Sequence, residues 1–133
     1  MLTTIVTPRF GDVDGLRHIN NTKLPEWFEL ARNPVYLYFN DNFDFDTFNL
    51  IMARITVDFI RPMLLGYEIE IRSYMLKIGN SSFTVGHEAW QQGELCVRGE
   101  AVIVHYDFAA GKSIPIPDDI RARLAEHLVT PQA

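Results

Sequence analysis

With 133 residues, 47% of them hydrophobic and 22% charged, the chain has the length of a single domain, 1–133, and a composition that excludes disorder and fibrous repeats. Its formal net charge of −5 leaves it without the basic field that dominates nucleic-acid affinity, so nucleic acid is not an expected partner. A lone cysteine, Cys96, excludes an intrachain disulfide, and no uncharged apolar run approaches the roughly 18–20 residues that span a bilayer. The N-terminal residues show no basic stretch followed by an apolar one, and the expected location is the cytoplasm. The four histidines, at 18, 87, 105 and 127, form no HxxxH or HExxH, and no metal is expected.

Leu2 to Phe10 is rich in Thr, Ile and Val and is predicted as a strand. Gly11-Asp12-Val13-Asp14-Gly15 has turn chemistry, and Arg17 to Thr22 offers several helix caps. From Leu24 to about Phe39 the period is helical and the apolar residues surround most of the circumference, so the helix must be wrapped by other elements. Asn33-Pro34 breaks or kinks it, with Pro34 starting a second short piece. An acidic, aromatic loop follows, with Asp41, Asp44 and Asp46, and it lacks the frame of a calcium loop.

From residue 50 the period is two. Ile51 to Phe59 alternates as a half-buried strand ended by Pro62. The next strand begins at Ile69, and its apolar face changes parity after Ser73, which predicts a bulge or a strong twist there. Phe83, Val85, His87 and Ala89 mark a third strand of this run. Leu95 to about Phe108 is long and, between Ala101 and Val104, apolar on both faces, hence central. A short helix starts near Asp118 with Ile120, Leu124 and Leu128 on one face. This order predicts an α+β protein, a curled antiparallel sheet around one long helix with a short C-terminal helix.

The chemistry gathers in Asp12 to Asn21. A carboxylate there stands just ahead of a helix N-terminus, whose free N–H groups can polarise a carbonyl while the carboxylate attacks it or activates water. The same residues also suit a plain turn, with Asp12 and Asp14 shaping it and Asn20 or Asn21 capping the helix.

The run RFGDVDGLRHINNTKLPEWFELAR, residues 9 to 32, resembles the signature of the 4-hydroxybenzoyl-CoA thioesterase-like branch of the hotdog-fold superfamily, and Ile55 to Pro62 resembles the strand after its helix. The resemblance implies a hotdog fold and an acyl-CoA thioesterase that releases a carboxylate and free coenzyme A, without metal or redox cofactor. It places the catalytic carboxylate at Asp14, the N–H that polarises the thioester carbonyl at or beside Asn21, and the family's histidine at His18. Asp12 takes the first acidic position, assigned to loop structure. Arg17 stands where the family often has Gly and is a candidate to clasp an acidic substrate group or to pair with Asp12 or Asp14. Asn20 completes the His-x-Asn-Asn pattern, and Ser81 and Ser82 lie where relatives approach the pantetheine arm. A homodimer or homotetramer with the site at the subunit interface is implied as well.

Other readings stay open. Glu26 and Glu29 are alternative helix carboxylates, and Arg54, Arg61, Arg72, Lys77 and Arg98 are available for coenzyme A phosphates. Tyr36, Tyr38, Phe39, Phe43, Phe45 and Phe48 could line an acyl pocket or simply pack. Rival activities are an acyl-ACP thioesterase, which the acidic charge disfavours, a hotdog enoyl-CoA hydratase, and a noncatalytic acyl-CoA binder.

Overall fold

A computed structural model of the chain describes residues 1–129. The strands are β1 (Leu2–Val6), β2 (Leu50–Phe59), β3 (Ile69–Ile78), β4 (Ser82–Gln91), β5 (Glu94–Asp107) and the short β6 (Lys112–Ser113). The helices are α1 (Lys23–Ala31), α2 (Asn33–Phe39) and α3 (Asp118–Ala125). The sheet runs β1-β3-β4-β5-β2, antiparallel throughout, with β6 paired to β5. Among the described residues, no helix is long and apolar enough to cross a membrane.

The concave face of the sheet holds α1 and α2. Leu24, Trp27, Phe28 and Ala31 of α1 pack on Ile69, Ile71, Ala89 and Val97, while Val35 of α2 joins Met75, Phe83, Val85 and Ile103. Gly99 of β5 lets the helix come this close, since a Cβ there would lie 2.6 Å from Phe28 Cε2. The central position expected for β5 is observed, between β4 and β2.

Several expectations change in detail. The first strand ends at Val6, and Phe10 instead opens a 3-10 turn that places Asp12. The helix is two segments that break around Arg32 with Pro34 in the first turn of α2, and its outer side is not wrapped, for Leu30 is exposed. Beyond α3, Leu128 is exposed, although Leu124 is buried. In β3 the buried face keeps its parity from Ile69 through Ser73 to Met75, and the irregularity comes later, between Met75 and Lys77. Ser73 holds that face because its hydroxyl meets buried His87.

The largest difference is β2. Only Leu50 in it is buried, whereas Ile51, Met52, Ile55 and Phe59 are exposed, because β2 is the sheet's last strand, with β5 as its neighbour on one side. Such an edge carries unpaired backbone groups together with apolar side chains.

Candidate active site

Asp14 sits in a turn that its own side chain closes. Its Oδ1 accepts the Leu16 and His18 N–H groups at 2.8 and 3.3 Å, and the Asp14 N–H donates to the His18 carbonyl at 2.8 Å. Arg17, at φ 65°, supplies the left-handed residue the turn needs. Both N–H groups share Oδ1, so Oδ2 has no partner among the described residues.

Asp12 fixes this turn from beneath. It is 2% exposed, its Oδ2 accepts the Arg9 N–H at 2.7 Å, and Arg9 and Lys23 reach Oδ1 at 3.3 and 3.7 Å. Burial alone pulls this carboxyl upward, but the Arg9 N–H, the Arg9 guanidinium and Lys23 outweigh it, and the pKa lies below the usual carboxylate range. The Asp12 carbonyl also accepts the Asn20 N–H at 2.7 Å, and the Ile19 N–H donates to the Met63 carbonyl at 2.8 Å. The loop is thereby tied both to its own start and to the segment after β2.

The start of α1 leaves donors open, as helix N-termini do. Asn20 Oδ1 takes the Thr22 N–H and hydroxyl, each at 3.0 Å, and the Asn20 carbonyl takes the Lys23 N–H at 3.0 Å. The Asn21 N–H between them has no partner among the described residues. Asp14, His18, Asn20 and Asn21 all line one cavity of about 490 Å³, closed on its other side by Phe59, Arg61, Met63 and neighbouring residues. A carboxylate and a helix-start N–H whose residues line one cavity can activate a nucleophile and stabilise an oxyanion.

Other candidates lie elsewhere. Arg17 faces an adjoining apolar pocket with Phe10, Val13, Leu64 and Leu65. Ser81 and Ser82 are at the far end of the β3–β4 hairpin: Ser82 pairs with Val104, seven residues from Val97 of the cavity, about 23 Å along the strand. Glu26 is exposed and pairs with Lys23 at 3.6 Å. Glu29, with Tyr36, Phe48, Leu50, Ile51 and Phe108, lines a separate, largely apolar cleft of about 440 Å³ at the opposite end of β2. The Cys96 thiol is buried, which pushes its pKa up and suits a structural role.

Sequence reasoning missed a buried polar pin behind the helix. Arg32, 2% exposed, donates Nε–H to the Tyr36 hydroxyl at 2.8 Å and places Nη1 3.1 Å from His87 Nε2. A guanidinium has only donors, so His87 accepts at Nε2, carries its proton on Nδ1 and donates it to Ser73 Oγ at 2.8 Å. Phe28 stacks on the His87 ring with centroids 4.8 Å apart. Burial, and secondarily the Arg32 cation, push the His87 pKa down to about 3. The helical pair is thus keyed to β3 and β4 by polar contacts within an otherwise apolar packing.

Comparisons with known proteins agree on one relationship. The model of the thioesterase-like superfamily matches residues 8–124. The structure of a predicted thioesterase from Bacillus stearothermophilus is similar at 37% identity over 98% of each chain, with a TM-score of 0.93. A thioesterase from Thermus thermophilus, complexed with coenzyme A and Zn, is similar at 31% identity, over 92% of this chain and 96% of that one, with a TM-score of 0.81. A Staphylococcus aureus protein in complex with coenzyme A shares the fold, with a TM-score of 0.86 at 13% identity over 99% of this chain and 88% of that one. No curated protein sequence matches the chain.

Proposed function

The chain belongs to the thioesterase-like superfamily, and on that footing we propose that it hydrolyses an acyl-CoA thioester to a carboxylate and free coenzyme A, with Asp14 and Asn21 as the working pair. The observation that carries this reading is the shared cavity, in which Asp14 keeps one carboxylate oxygen free and the Asn21 N–H lacks an acceptor among the described residues. The thioester carbonyl oxygen takes the Asn21 N–H, reinforced by the positive end of α1. Either Asp14 attacks the carbonyl carbon and expels the thiolate, leaving a mixed anhydride that water then cleaves to free Asp14 and the carboxylate product, or Asp14 takes a proton from a water that adds to the carbonyl carbon, and the tetrahedral intermediate expels the thiolate. His18 lines the same cavity, and its ring has no partner among the described residues, which leaves it available to the substrate.

A backbone donor can be removed only through the backbone. Asn21→Pro is expected to lower kcat by ~10²–10³, the usual loss for one oxyanion donor, whereas Asn21→Ala keeps the N–H and most of the rate. Steady-state kinetics on both variants checks this. Equal losses in the two would move the oxyanion site away from Asn21.

The proposal includes a homodimer joined along β2. Self-pairing of this edge satisfies its free backbone groups and covers Ile51, Met52, Ile55 and Phe59. A two-fold axis at Thr56 sets each Arg54 against the partner's Asp58, so the edge is self-complementary in charge. The same axis lays the Asp14 cavity of one protomer beside the apolar Glu29–Phe108 cleft of the other, giving the acyl group an apolar place to lie. Arg54→Asp is expected to shift the dimer toward monomer in sedimentation, and the double exchange Arg54→Asp with Asp58→Arg to restore it. A dimer indifferent to both would rule out this register.

A further inference from the structure

A protein of net charge −5 that takes coenzyme A must hold a strongly anionic ligand, and Asp14 adds a carboxylate to the very cavity that receives it. Some local cation has to offset this repulsion. Among the residues that line the Asp14 cavity, Arg61 is the one lysine or arginine.

Its surroundings suit a docking role. Arg61 follows the end of β2, where the Ile60 and Arg61 N–H groups both donate to the Cys96 carbonyl, at 2.8 and 3.0 Å. Pro62 comes next with its fixed φ, and then Met63, whose carbonyl holds the Ile19 N–H of the catalytic loop. The backbone carrying Arg61 is therefore tied on one side to β5 and on the other to the segment bearing Asp14 and Asn21. The guanidinium itself is uncommitted. Its one ion pair among the described residues, to Glu94, is 3.9 Å long with the two side chains 52% and 66% exposed, a solvated contact of little strength.

The other candidate cations are placed differently. Arg72 is bound to Glu70 at 2.7 Å and lies over the Trp90 ring at 4.4 Å, while Arg54 and Arg98 line a groove that contains neither Asp14 nor Asn21. Arg17 faces the neighbouring pocket.

We propose that Arg61 is a specificity-determining residue that docks a phosphate of the coenzyme A portion of the substrate at the mouth of the Asp14 cavity. The inference rests on the thioesterase reading for the location of the ligand, but it is a claim about binding and can be tested without turnover. A planar guanidinium pairs with phosphate oxygens through two parallel N–H donors, and a lysine at the same place gives a point charge only.

The test is equilibrium binding of free coenzyme A, 4′-phosphopantetheine and pantetheine to the intact protein, by calorimetry. Arg61→Ala is expected to weaken coenzyme A and phosphopantetheine about tenfold, the size of one exposed charge-assisted contact, and to leave pantetheine unchanged. Arg61→Lys should recover part of the loss, and Glu94→Gln should tighten coenzyme A slightly by removing the competing carboxylate. In kinetics the same Arg61→Ala change appears in KM for acyl-CoA with kcat preserved. Loss of coenzyme A but not of phosphopantetheine affinity would locate the contact on the nucleotide phosphates and still support Arg61. Equal weakening of pantetheine, or no weakening of any ligand, would overturn the proposal. An Arg61→Ala effect on KM confined to acyl groups with a terminal carboxylate would overturn it as well, by assigning the cation to the acyl end. Failure of wild-type turnover with the phosphate dependence intact would instead sink the thioesterase reading and leave the docking role standing.

Discussion

Asp14→Asn is expected to lower kcat for thioester hydrolysis by at least ~10³ while the unfolding midpoint stays within a degree or two of wild type. The separation follows from how the two carboxylate oxygens are used. Oδ1 alone accepts the Leu16 and His18 N–H groups, and the amide oxygen of Asn can accept both in the same geometry. The substitution changes Oδ2, which has no partner among the described residues and faces no structural task. An amide nitrogen there can neither attack a thioester nor accept a proton from water. Steady-state kinetics beside a thermal melt checks the pair of outcomes. A mutant that keeps its rate would remove Asp14 from the chemistry and turn attention to Glu29 across the proposed interface, and one that loses fold and rate together would make Asp14 a loop residue.

The second large effect is on stability and comes from His87. Its folded pKa is about 3, below the ordinary 6.5, so the unfolded chain binds a proton in the window between these values and the folded one does not. Stability supplied by neutral His87 is complete above pH 6.5 and drains away as pH falls toward 3, at about 1.4 kcal/mol per pH unit and about 5 kcal/mol as an upper bound. A protonated ring would face the Arg32 cation at 3.1 Å and could no longer accept its N–H. Urea unfolding at pH 7 and pH 5 should show a loss of about 2 kcal/mol in wild type and a markedly flatter dependence in His87→Gln, which keeps an acceptor for Arg32 and a donor for Ser73. Parallel pH profiles for the two proteins would contradict this assignment. Asp12 contributes in the same direction at lower pH, since its depressed carboxyl supports the fold above the usual carboxylate range and loses that support as pH falls through its folded value.

The fold was readable where local chemistry and period decide it. The helical period from Leu24 and the doubly apolar stretch in β5 reflect what those residues bury, and the Asn33-Pro34 break reflects the backbone limits of proline. The loop was readable because Asp12, Asp14 and the Asn20–Thr22 caps satisfy neighbours within a few positions. What escaped depends on partners distant in the chain. Arg32 looks like a solvated charge on α1 until His87, 55 positions away, is folded against it. The alternation of β2 is that of a half-buried strand, and nothing local reveals that the sheet ends there. Placing Ser81 and Ser82 requires the register of the whole hairpin, and placing Arg17 beside Phe10 and Leu65 requires the path of a turn in which it takes a positive φ.

The most direct measurement is release of free thiol by the wild-type protein from short-chain, medium-chain, long-chain and aryl coenzyme A thioesters. The assignment of Asp14 and Asn21 to one hydrolytic cavity predicts saturable, multiple-turnover release from at least one of them. Binding of these thioesters with no release of thiol from any would contradict it and make the chain a carrier rather than a hydrolase.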